Sequence, residues 1–111
     1  MSRTRPCVLH LTERVLWEEA RERGVYEWST RGKTLADEGF VHCSTREQLA
    51  GTAELVYGDG GGDLVVLVID PERLGAPLKY EGGFPHVYGG IPAGAVVEVE
   101  DFPVGFEDFP A

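Results

Sequence analysis

Residues Leu64–Ile69 form the sequence LVVLVI, an uninterrupted aliphatic run bounded by Asp63 and by the pair Asp70-Pro71. A strand with one face in water alternates apolar and polar residues, whereas a strand buried on both faces does not. The proline that follows the run is typical of the turn that ends a strand. We therefore expect a central strand over Leu64–Ile69, around which the other elements of the chain must pack.

The size and composition of the chain predict its general class. Its 111 residues, 42% of them hydrophobic, are typical of one small domain, so we expect a single domain over residues 1–111. No apolar run approaches the roughly 18 residues of a membrane span, and the apolar stretch near the N-terminus is too short for a signal peptide. We therefore predict a cytoplasmic location and no membrane partner. Cys7 and Cys43 form no CxxC pair, so we expect reduced, buried thiols.

Local signals predict the remaining strands and helices. Short apolar or alternating segments predict strands at residues 7–11, 40–43, 78–80 and 95–102. A first helix is predicted with Thr12 as its N-cap and Glu13 in its first turn, ending at Gly24. A second helix is predicted from an S-x-x-E capping box, formed by Ser44 and Glu47, to about residue 57. The first helix has an apolar stripe and is therefore expected to lie on a sheet.

The connecting segments are predicted to be loops. Residues 25–39 have a loop-like sequence, residues 58–62 are rich in glycine, and residues 81–92 are typical of a long functional loop. The sequence RGKT at residues 31–34 resembles the end of a phosphate-binding loop, but Glu27 stands where that loop needs glycine, so we predict a solvated turn. The C-terminal segment is predicted to be a solvated tail that Pro103 and Pro110 keep out of any sheet.

The charge balance restricts the partners of the chain. Ten basic residues stand against nineteen acidic ones, which gives a net charge of −9. Binding to duplex nucleic acid needs a basic face, and here such a face is confined to residues 14–46. We therefore predict no duplex nucleic acid as a partner, whereas a small phosphorylated ligand is compatible with the charge.

Three histidines lie in segments typical of binding sites. They are His10 in VLHLT, His42 in GFVHCS and His86 in GGFPHVYGG. For one histidine the simpler interpretation is a buried ring bonded to a neighbouring carbonyl. For three in separate motifs we favour one shared pocket, because imidazole can donate, accept and titrate near neutral pH.

The segment around His86 offers flat ring faces. Phe84 and Tyr88 flank the histidine, and pairs of glycines lie on either side of the segment. Glycine allows the backbone to approach a ligand closely, and aromatic faces suit a nucleobase or another planar group. A surface loop anchored by two aromatic residues explains the same sequence equally well.

Other candidate groups carry weaker signals. The three histidines, Cys43 and Glu81 are all zinc-ligand types, but their wide separation leads us to expect no metal. Ser44 is interpreted first as a helix cap. Glu81 is a candidate acid or ribose-binding carboxylate, with a solvated residue at a strand end as the more frequent alternative.

The segments HLT, EGFVHCSTREQLAGTA, DLVVLVID, LKYEGGFPHVYG and IPAGAVV closely resemble the bacterial domain-of-unknown-function 952 family. The likeness covers nearly the whole chain. It implies membership of that family but supplies no reaction, because the family has no established biochemical activity.

A more distant resemblance links residues 41–74 to the middle of the RNA 2′-phosphotransferases, which belong to the ADP-ribosyltransferase-like group. The resemblance implies an α+β fold in which two small sheets form a cleft for NAD, with two flanking helices. It implies that His10 binds the ribose, that His42 matches the histidine of an HLS-like segment, and that Glu81 approximates a late-strand glutamate. The chain lacks those enzymes' additional N-terminal domain and phosphate-gripping arginines, which argues against RNA repair.

Two functions from different classes follow from these observations. The first is binding of NAD or an ADP-ribose-like ligand in a histidine-lined cleft, with ribosyl transfer as its chemistry. In it His10 and Glu81 are catalytic, and the ligand-binding residues are His42, Ser44, Phe84, His86 and Tyr88. The alternative is a non-catalytic module that binds a small molecule or a peptide in the same cleft. A weaker third hypothesis is a metal-dependent hydrolase that uses the three histidines.

Overall fold

A computed structural model describes residues 6–60 and 62–102. The strands are β1 (Val8–Glu13), β2 (Val25–Tyr26), β3 (Trp28–Thr30), β4 (Lys33–Thr34), β5 (Val41–His42), β6 (Leu64–Ile69), β7 (Leu78–Glu81), β8 (Phe84–Val87), β9 (Ile91–Pro92) and β10 (Val96–Asp101). The helices are α1 (Arg14–Arg23), α2 (Leu35–Glu38) and α3 (Leu49–Tyr57), and 3₁₀ turns lie at Pro71–Arg73 and Ala93–Ala95. None of the helices in these ranges is long and apolar enough to cross a membrane.

Strand β6 is the centre of the main sheet. It pairs antiparallel with β1 on one side and with β10 on the other, and all six of its residues are buried. Its side chains alternate between two hydrophobic clusters, one that includes Trp17 and Ala20 of α1 and one that includes Leu49 and Ala53 of α3. A helix therefore covers each face, and the prediction of a doubly buried central strand at Leu64–Ile69 is confirmed.

A second sheet has the strand order β5-β8-β7. It joins the main sheet where Leu9 and Ser44 exchange two backbone hydrogen bonds of 2.8 and 2.7 Å. Short pairs, β2 with β9 and β3 with β4, complete the described sheets. The fold is thus a small mixed α/β arrangement of several small sheets and few helices, as predicted at that level.

The start of α1 differs from the prediction. Thr12 and Glu13 belong to β1, and the helix begins at Arg14 without a side-chain cap. Thr12 is buried and its hydroxyl bonds to Tyr26, so tertiary contacts take the group that would cap an exposed helix. Gly24 ends α1 as predicted, with φ of 92° and its N–H bonded to the carbonyl of Ala20.

A reciprocal pair of side-chain bonds lies one residue after the predicted capping box, in the turn that precedes the second long helix. The amide of Gln48 bonds to Oγ1 of Thr45 at 3.3 Å, and the amide of Thr45 bonds to Oε1 of Gln48 at 3.0 Å. Helix α3 begins at Leu49 and ends at Tyr57, the latter as predicted. The prediction of a capping box formed by Ser44 and Glu47 was therefore wrong, and Ser44 instead pairs with β1.

Two predicted loops contain regular structure. Residues 25–39 hold β2, β3, β4 and α2, and the last of these starts at a capping box between Thr34 and Asp37. Residues 81–92 include β8 and β9, and β7 and β8 form a hairpin whose turn is Gly82-Gly83, with φ of 61° and 86°. Both glycines occupy the left-handed region that such a tight hairpin turn requires.

The arginines expected to form a local basic face are largely paired with carboxylates. Pairs link Arg14 with Asp63 and Asp101, Arg23 with Glu27, Arg31 with Asp59, and Arg46 with Glu100. This part of the surface therefore has little net positive charge. The predicted solvated tail at 103–111 lies outside the described residues.

Candidate functional site

The two larger sheets and α3 enclose a cavity of about 380 Å³. Strand β1 and the segment at Cys43 and Ser44 form its base, α3 one wall, and β8 another. Its lining residues are His10, Leu11, Thr30, His42, Cys43, Ser44, Thr52, Leu55, Val56, Tyr57, Phe84 and His86. The structure therefore brings all three histidines to one cavity, together with Ser44 and Phe84.

Side-chain contacts to α3 fix the edges of the cavity. The side-chain amide of Gln48 donates to the carbonyl of Gly83 at 2.7 Å, which ties the β7–β8 turn to the start of α3. At the other end of α3, the guanidinium of Arg31 donates to the carbonyl of Val56 at 3.0 Å and lies 4.8 Å from the ring centroid of Tyr57. The β7–β8 hairpin and the β3–β4 hairpin are thus both attached to the helix that forms a cavity wall.

His10 is 3% exposed, and both of its ring nitrogens have protein partners. Nδ1 lies 2.6 Å from the carbonyl oxygen of His42, and Nε2 lies 2.8 Å from the hydroxyl of Tyr26. Burial lowers the pKa of His10 to about 4, so the ring is neutral at neutral pH. His10 thus joins β1 to β5 and β2, and a ligand could take one of its nitrogens only by displacing a protein partner.

The directions of these hydrogen bonds follow from the neutral ring. A carbonyl oxygen only accepts, so Nδ1 carries the proton and Nε2 accepts from the Tyr26 hydroxyl. The Tyr26 hydroxyl also lies 2.7 Å from Oγ1 of Thr12 and is hydrogen-bonded to it. A continuous hydrogen-bonded network thus links Thr12, Tyr26 and His10 to the backbone of β5.

His42 and His86 face each other on paired strands. They are partners in the register of β5 and β8, and their ring centroids are 5.3 Å apart. Phe40 stacks on His86 with a centroid distance of 4.2 Å and an interplanar angle of 23°. Nε2 of His42 lies 3.6 Å from Oε1 of Glu38, and the side chain of His42 is 42% exposed.

Glu81 lies next to the cavity and bonds to one of its lining histidines. Its Oε1 accepts from Nδ1 of His86 at 2.7 Å and from the hydroxyl of Tyr88. The bond from Tyr88 and then that from His86 lower the pKa of Glu81, because both donors stabilise the carboxylate. Glu81 and Tyr88 are therefore connected to the cavity through His86, without lining it themselves.

The hydroxyl and thiol groups of the cavity differ in their availability. Oγ of Ser44 and Oγ1 of Thr52 lie 2.9 Å apart, so each is already engaged by the other. Burial raises the pKa of the Cys43 thiol to about 12. Since the thiolate is the reactive form, Cys43 is an inert part of the cavity wall at neutral pH.

The apolar part of the lining includes two exposed side chains. Leu55 is 86% exposed on α3, and Phe84 is 41% exposed at the start of β8. Large apolar side chains that remain exposed beside a concave site are typical of ligand contact. Together with Val56 they offer an apolar surface at the cavity.

Several lining or supporting residues were missed by the sequence interpretation. Thr52, Leu55 and Val56 share one face of α3 by their three- and four-residue spacing, which a helical plot of the predicted helix would have revealed. Tyr26 and Phe40 lay in or beside a segment interpreted as a loop. Their contacts with His10 and His86 depend on strand pairing that the local sequence does not encode.

The chemistry of the donor set gives no support to a metal centre. In the described part of the chain, no group of three or more histidine, cysteine, aspartate or glutamate side chains gathers as metal ligands do. His42 and His86 adjoin one another, but Glu38 and Glu81 each contact a different one of them. The hypothesis of a hydrolase with three histidine ligands therefore gains nothing from the geometry.

The family model described as protein of unknown function, DUF952, matches residues 11–99. This chain belongs to the DUF952 family. The crystal structure of protein CC0527 from Caulobacter crescentus is similar to it, with 31% identity and a TM-score of 0.72 over 87% of this chain and 86% of that one. The solution NMR structure of CC0527 gives 31% identity and a TM-score of 0.66 over 86% and 83%. No curated protein matches the chain.

The DUF952 match spans most of the cavity-lining residues. It begins at Leu11, directly after His10, and includes β5, α3 and the β7–β8 hairpin. The predicted DUF952 membership is therefore confirmed. The more distant likeness to ADP-ribosyltransferases stays a prediction.

Proposed function

We propose that the cavity binds the ribosylated ring of a nucleotide of the NAD or ADP-ribose type. The observation that carries the proposal is the composition of the lining, which combines apolar surface with several uncharged polar groups. Leu55, Val56 and Phe84 provide apolar surface for a planar ring, and the side chains of His42 and His86 provide partners for ribose hydroxyls.

The size of the cavity limits how much of the ligand it encloses. Its volume of about 380 Å³ lies near the lower end of the roughly 300–1,000 Å³ typical of small-molecule sites. Such a volume suits one ring with its ribose. We therefore propose that the second half of a dinucleotide lies outside the enclosed part.

The charges around the cavity are compatible with this ligand. Within the described ranges no carboxylate lines the cavity, and the carboxylate of Glu81 is hydrogen-bonded to His86 and Tyr88. A phosphorylated ligand therefore meets no lining anion, even though the chain as a whole carries −9. The resemblance to NAD-binding folds drawn from residues 41–74 supports the same ligand class.

An NMR titration of the full chain tests the proposal. Amide chemical shifts of ¹⁵N-labelled protein would be followed during addition of NAD, ADP-ribose and nicotinamide. We expect shifts at residues of α3, β5 and β8 that line the cavity. A folded wild-type protein that shows no shifts with any of the three compounds would overturn the proposal.

A pair of aromatic variants localises the binding. Phe84→Ala removes a ring that lines the cavity, whereas Tyr80→Ala removes a similarly exposed ring of the same hairpin that does not. We expect Phe84→Ala to weaken binding at least about tenfold and Tyr80→Ala to leave it within about twofold, since stacking on a base is worth about 1–3 kcal/mol. Equal effects would place the ligand elsewhere. Binding of unrelated peptides, together with no binding of the nucleotides, would favour the alternative of a peptide-binding module.

A further inference from the structure

Glu81 and His86 form a carboxylate–imidazole pair beside the cavity. A carboxylate only accepts hydrogen bonds, so the 2.7 Å contact places the proton on Nδ1 of His86. When Nδ1 carries the only ring proton, the lone pair is on Nε2, which has no hydrogen-bond partner among residues 6–60 and 62–102. His86 lines the cavity, and its side chain is only 14% exposed.

Three further contacts hold this pair in place. The hydroxyl of Tyr88 donates to the same oxygen of Glu81, which fixes the carboxylate from a second direction. Phe40 stacks on the ring of His86 at 4.2 Å. The backbone of β8, to which His86 belongs, is paired on both sides by β5 and β7. An imidazole that is oriented by a carboxylate and immobilised by packing has the arrangement of a general base.

The other two histidines of the cavity lack this combination. Both nitrogens of His10 are bonded to protein groups. Nε2 of His42 is 3.6 Å from Glu38, beyond hydrogen-bond distance, and its side chain is three times as exposed as that of His86, at 42% against 14%. Among the three, His86 alone lines the cavity with its Nδ1 proton fixed by a carboxylate and with its Nε2 unbonded to any described residue.

We infer that His86 is the general base of a hydrolytic site for N-ribosyl bonds and that Glu81 is its positioning residue. The inference rests on the proposed function, because it takes the ribosylated ring as the bound group. The cavity then serves to hold the ribose C1′ near His86, with water as the acceptor.

The reaction on NAD balances without any further reactant. Nε2 of His86 takes a proton from a water molecule while the water oxygen forms a bond to C1′ of the ribose. The bond between C1′ and the pyridinium nitrogen breaks, and its electron pair passes to that nitrogen, which becomes neutral. The products are ADP-ribose, nicotinamide and one proton, which His86 releases to solvent.

This assignment gives Glu81 a different role from the one its sequence position predicted. A carboxylate that stabilises a ribosyl cation directly must face the bound ribose. Glu81 instead lies behind His86 and is bonded to it and to Tyr88. It therefore acts on the substrate through the imidazole.

Binding and turnover measured on the same samples test the inference. NAD affinity would be measured by calorimetry, nicotinamide release by proton NMR, and the tautomer of His86 by long-range ¹H–¹⁵N spectra. The variants are His86→Asn and Glu81→Gln, and Glu22→Gln serves as a matched control because Glu22 is an exposed carboxylate of α1 outside the cavity.

We expect wild type and Glu22→Gln to bind and hydrolyse NAD alike. His86→Asn should bind NAD but release nicotinamide at least about 100-fold more slowly, since a general base contributes about 10²–10⁴-fold. Glu81→Gln should lower kcat by about tenfold or more with KM nearly unchanged, and its spectra should no longer show a single Nδ1–H tautomer.

The contrary results separate this inference from the proposed function. Wild-type protein that binds NAD without releasing nicotinamide overturns the inference and leaves the binding function in place. Unchanged turnover in His86→Asn, or a Glu81→Gln defect confined to KM, overturns the assigned roles. Folded wild type that does not bind NAD overturns both.

Discussion

Nε2 of His10 and the hydroxyl of Tyr26 lie 2.8 Å apart beneath the cavity, and both side chains are buried. The same hydroxyl is 2.7 Å from Oγ1 of Thr12, and Nδ1 of His10 is 2.6 Å from the carbonyl of His42. Every polar atom of this network is therefore paired inside the protein. Because the network spans β1, β2 and β5, it fixes the position of the strand that carries His42.

Replacing Tyr26 with phenylalanine should destabilise the protein. The change keeps the ring but leaves Nε2 of His10 and the hydroxyl of Thr12 without their shared partner. We expect the free energy of unfolding, measured by urea denaturation, to fall by about 1–3 kcal/mol. In a double-mutant cycle, Thr12→Val should cost less in the Tyr26→Phe background than in wild type. Additive effects would show that the hydroxyls are not coupled.

Burial of His10 should also make stability depend on pH. Its pKa is about 4 in the folded state, mainly through desolvation, against 6.5 in the unfolded chain. Between these values the unfolded state binds a proton that the folded state does not, so stability falls as the pH is lowered from 6.5 to about 4. The difference corresponds to about 3 kcal/mol, and no further loss from His10 is expected at lower pH.

Denaturation at pH 7, 5 and 4 measures this loss, with His10→Gln as the comparison because all other titrating groups are shared. Wild type should lose about 3 kcal/mol more than the variant over this range. An NMR titration of the wild-type ring provides a second measurement that does not need the variant to fold. Ring signals of His10 that titrate with a midpoint near 6.5 would contradict the prediction.

Predictions from the sequence were most accurate where the burial of one strand or a local backbone requirement sets the residue pattern. Six consecutive aliphatic residues at Leu64–Ile69, bounded by turn residues, favour a strand covered on both faces, and β6 is that strand. Gly24 ends α1 in the left-handed conformation that glycine adopts readily. The DUF952 resemblance also gave the correct family, because its motifs are spread over most of the chain.

The errors arose where tertiary contacts override local preferences. Thr12 has the chemistry of a helix cap, but its hydroxyl is taken by Tyr26, so the strand continues to Glu13. Ser44 is likewise drawn into backbone pairing with Leu9. The hairpin strand β8 was interpreted as loop because its four residues, FPHV, have no clear alternation and one of its two partner strands, β5, is distant in sequence.

The sequence predicted which residue types meet at the candidate site better than it predicted the role of each residue. Histidines in separate motifs do meet at one cavity, yet nothing local distinguishes His10, with both nitrogens bonded, from His86, with one nitrogen unbonded to any described residue. That difference depends on Tyr26 and Glu81, which only the folded chain brings into contact with the rings.

Gly89 should not tolerate a side chain, although its backbone is not in the left-handed region. A Cβ at this position would lie 2.6 Å from Cβ of Ala76, which is attached directly to the backbone and cannot rotate away. We expect Gly89→Ala to lower the free energy of unfolding by about 1–3 kcal/mol, as overpacking typically does. Gly94→Ala is the matched control, because its Cβ would meet nothing within 4 Å. Equal stability of the two variants in urea denaturation would show that the loop at Gly89 adjusts freely.

The thiol of Cys43 should resist alkylation as long as the protein is folded. Cys43 is 4% exposed, and burial raises its pKa to about 12, so both access and the thiolate population are low at neutral pH. Cys7 is only partly buried and serves as the internal comparison within the same chain. Labelling with iodoacetamide, followed by mass spectrometry of the peptides, should modify Cys7 first and modify Cys43 at a comparable rate only in denaturant. Rapid labelling of Cys43 in native buffer would show that the cavity wall opens and that the thiol belongs to the reactive part of the site.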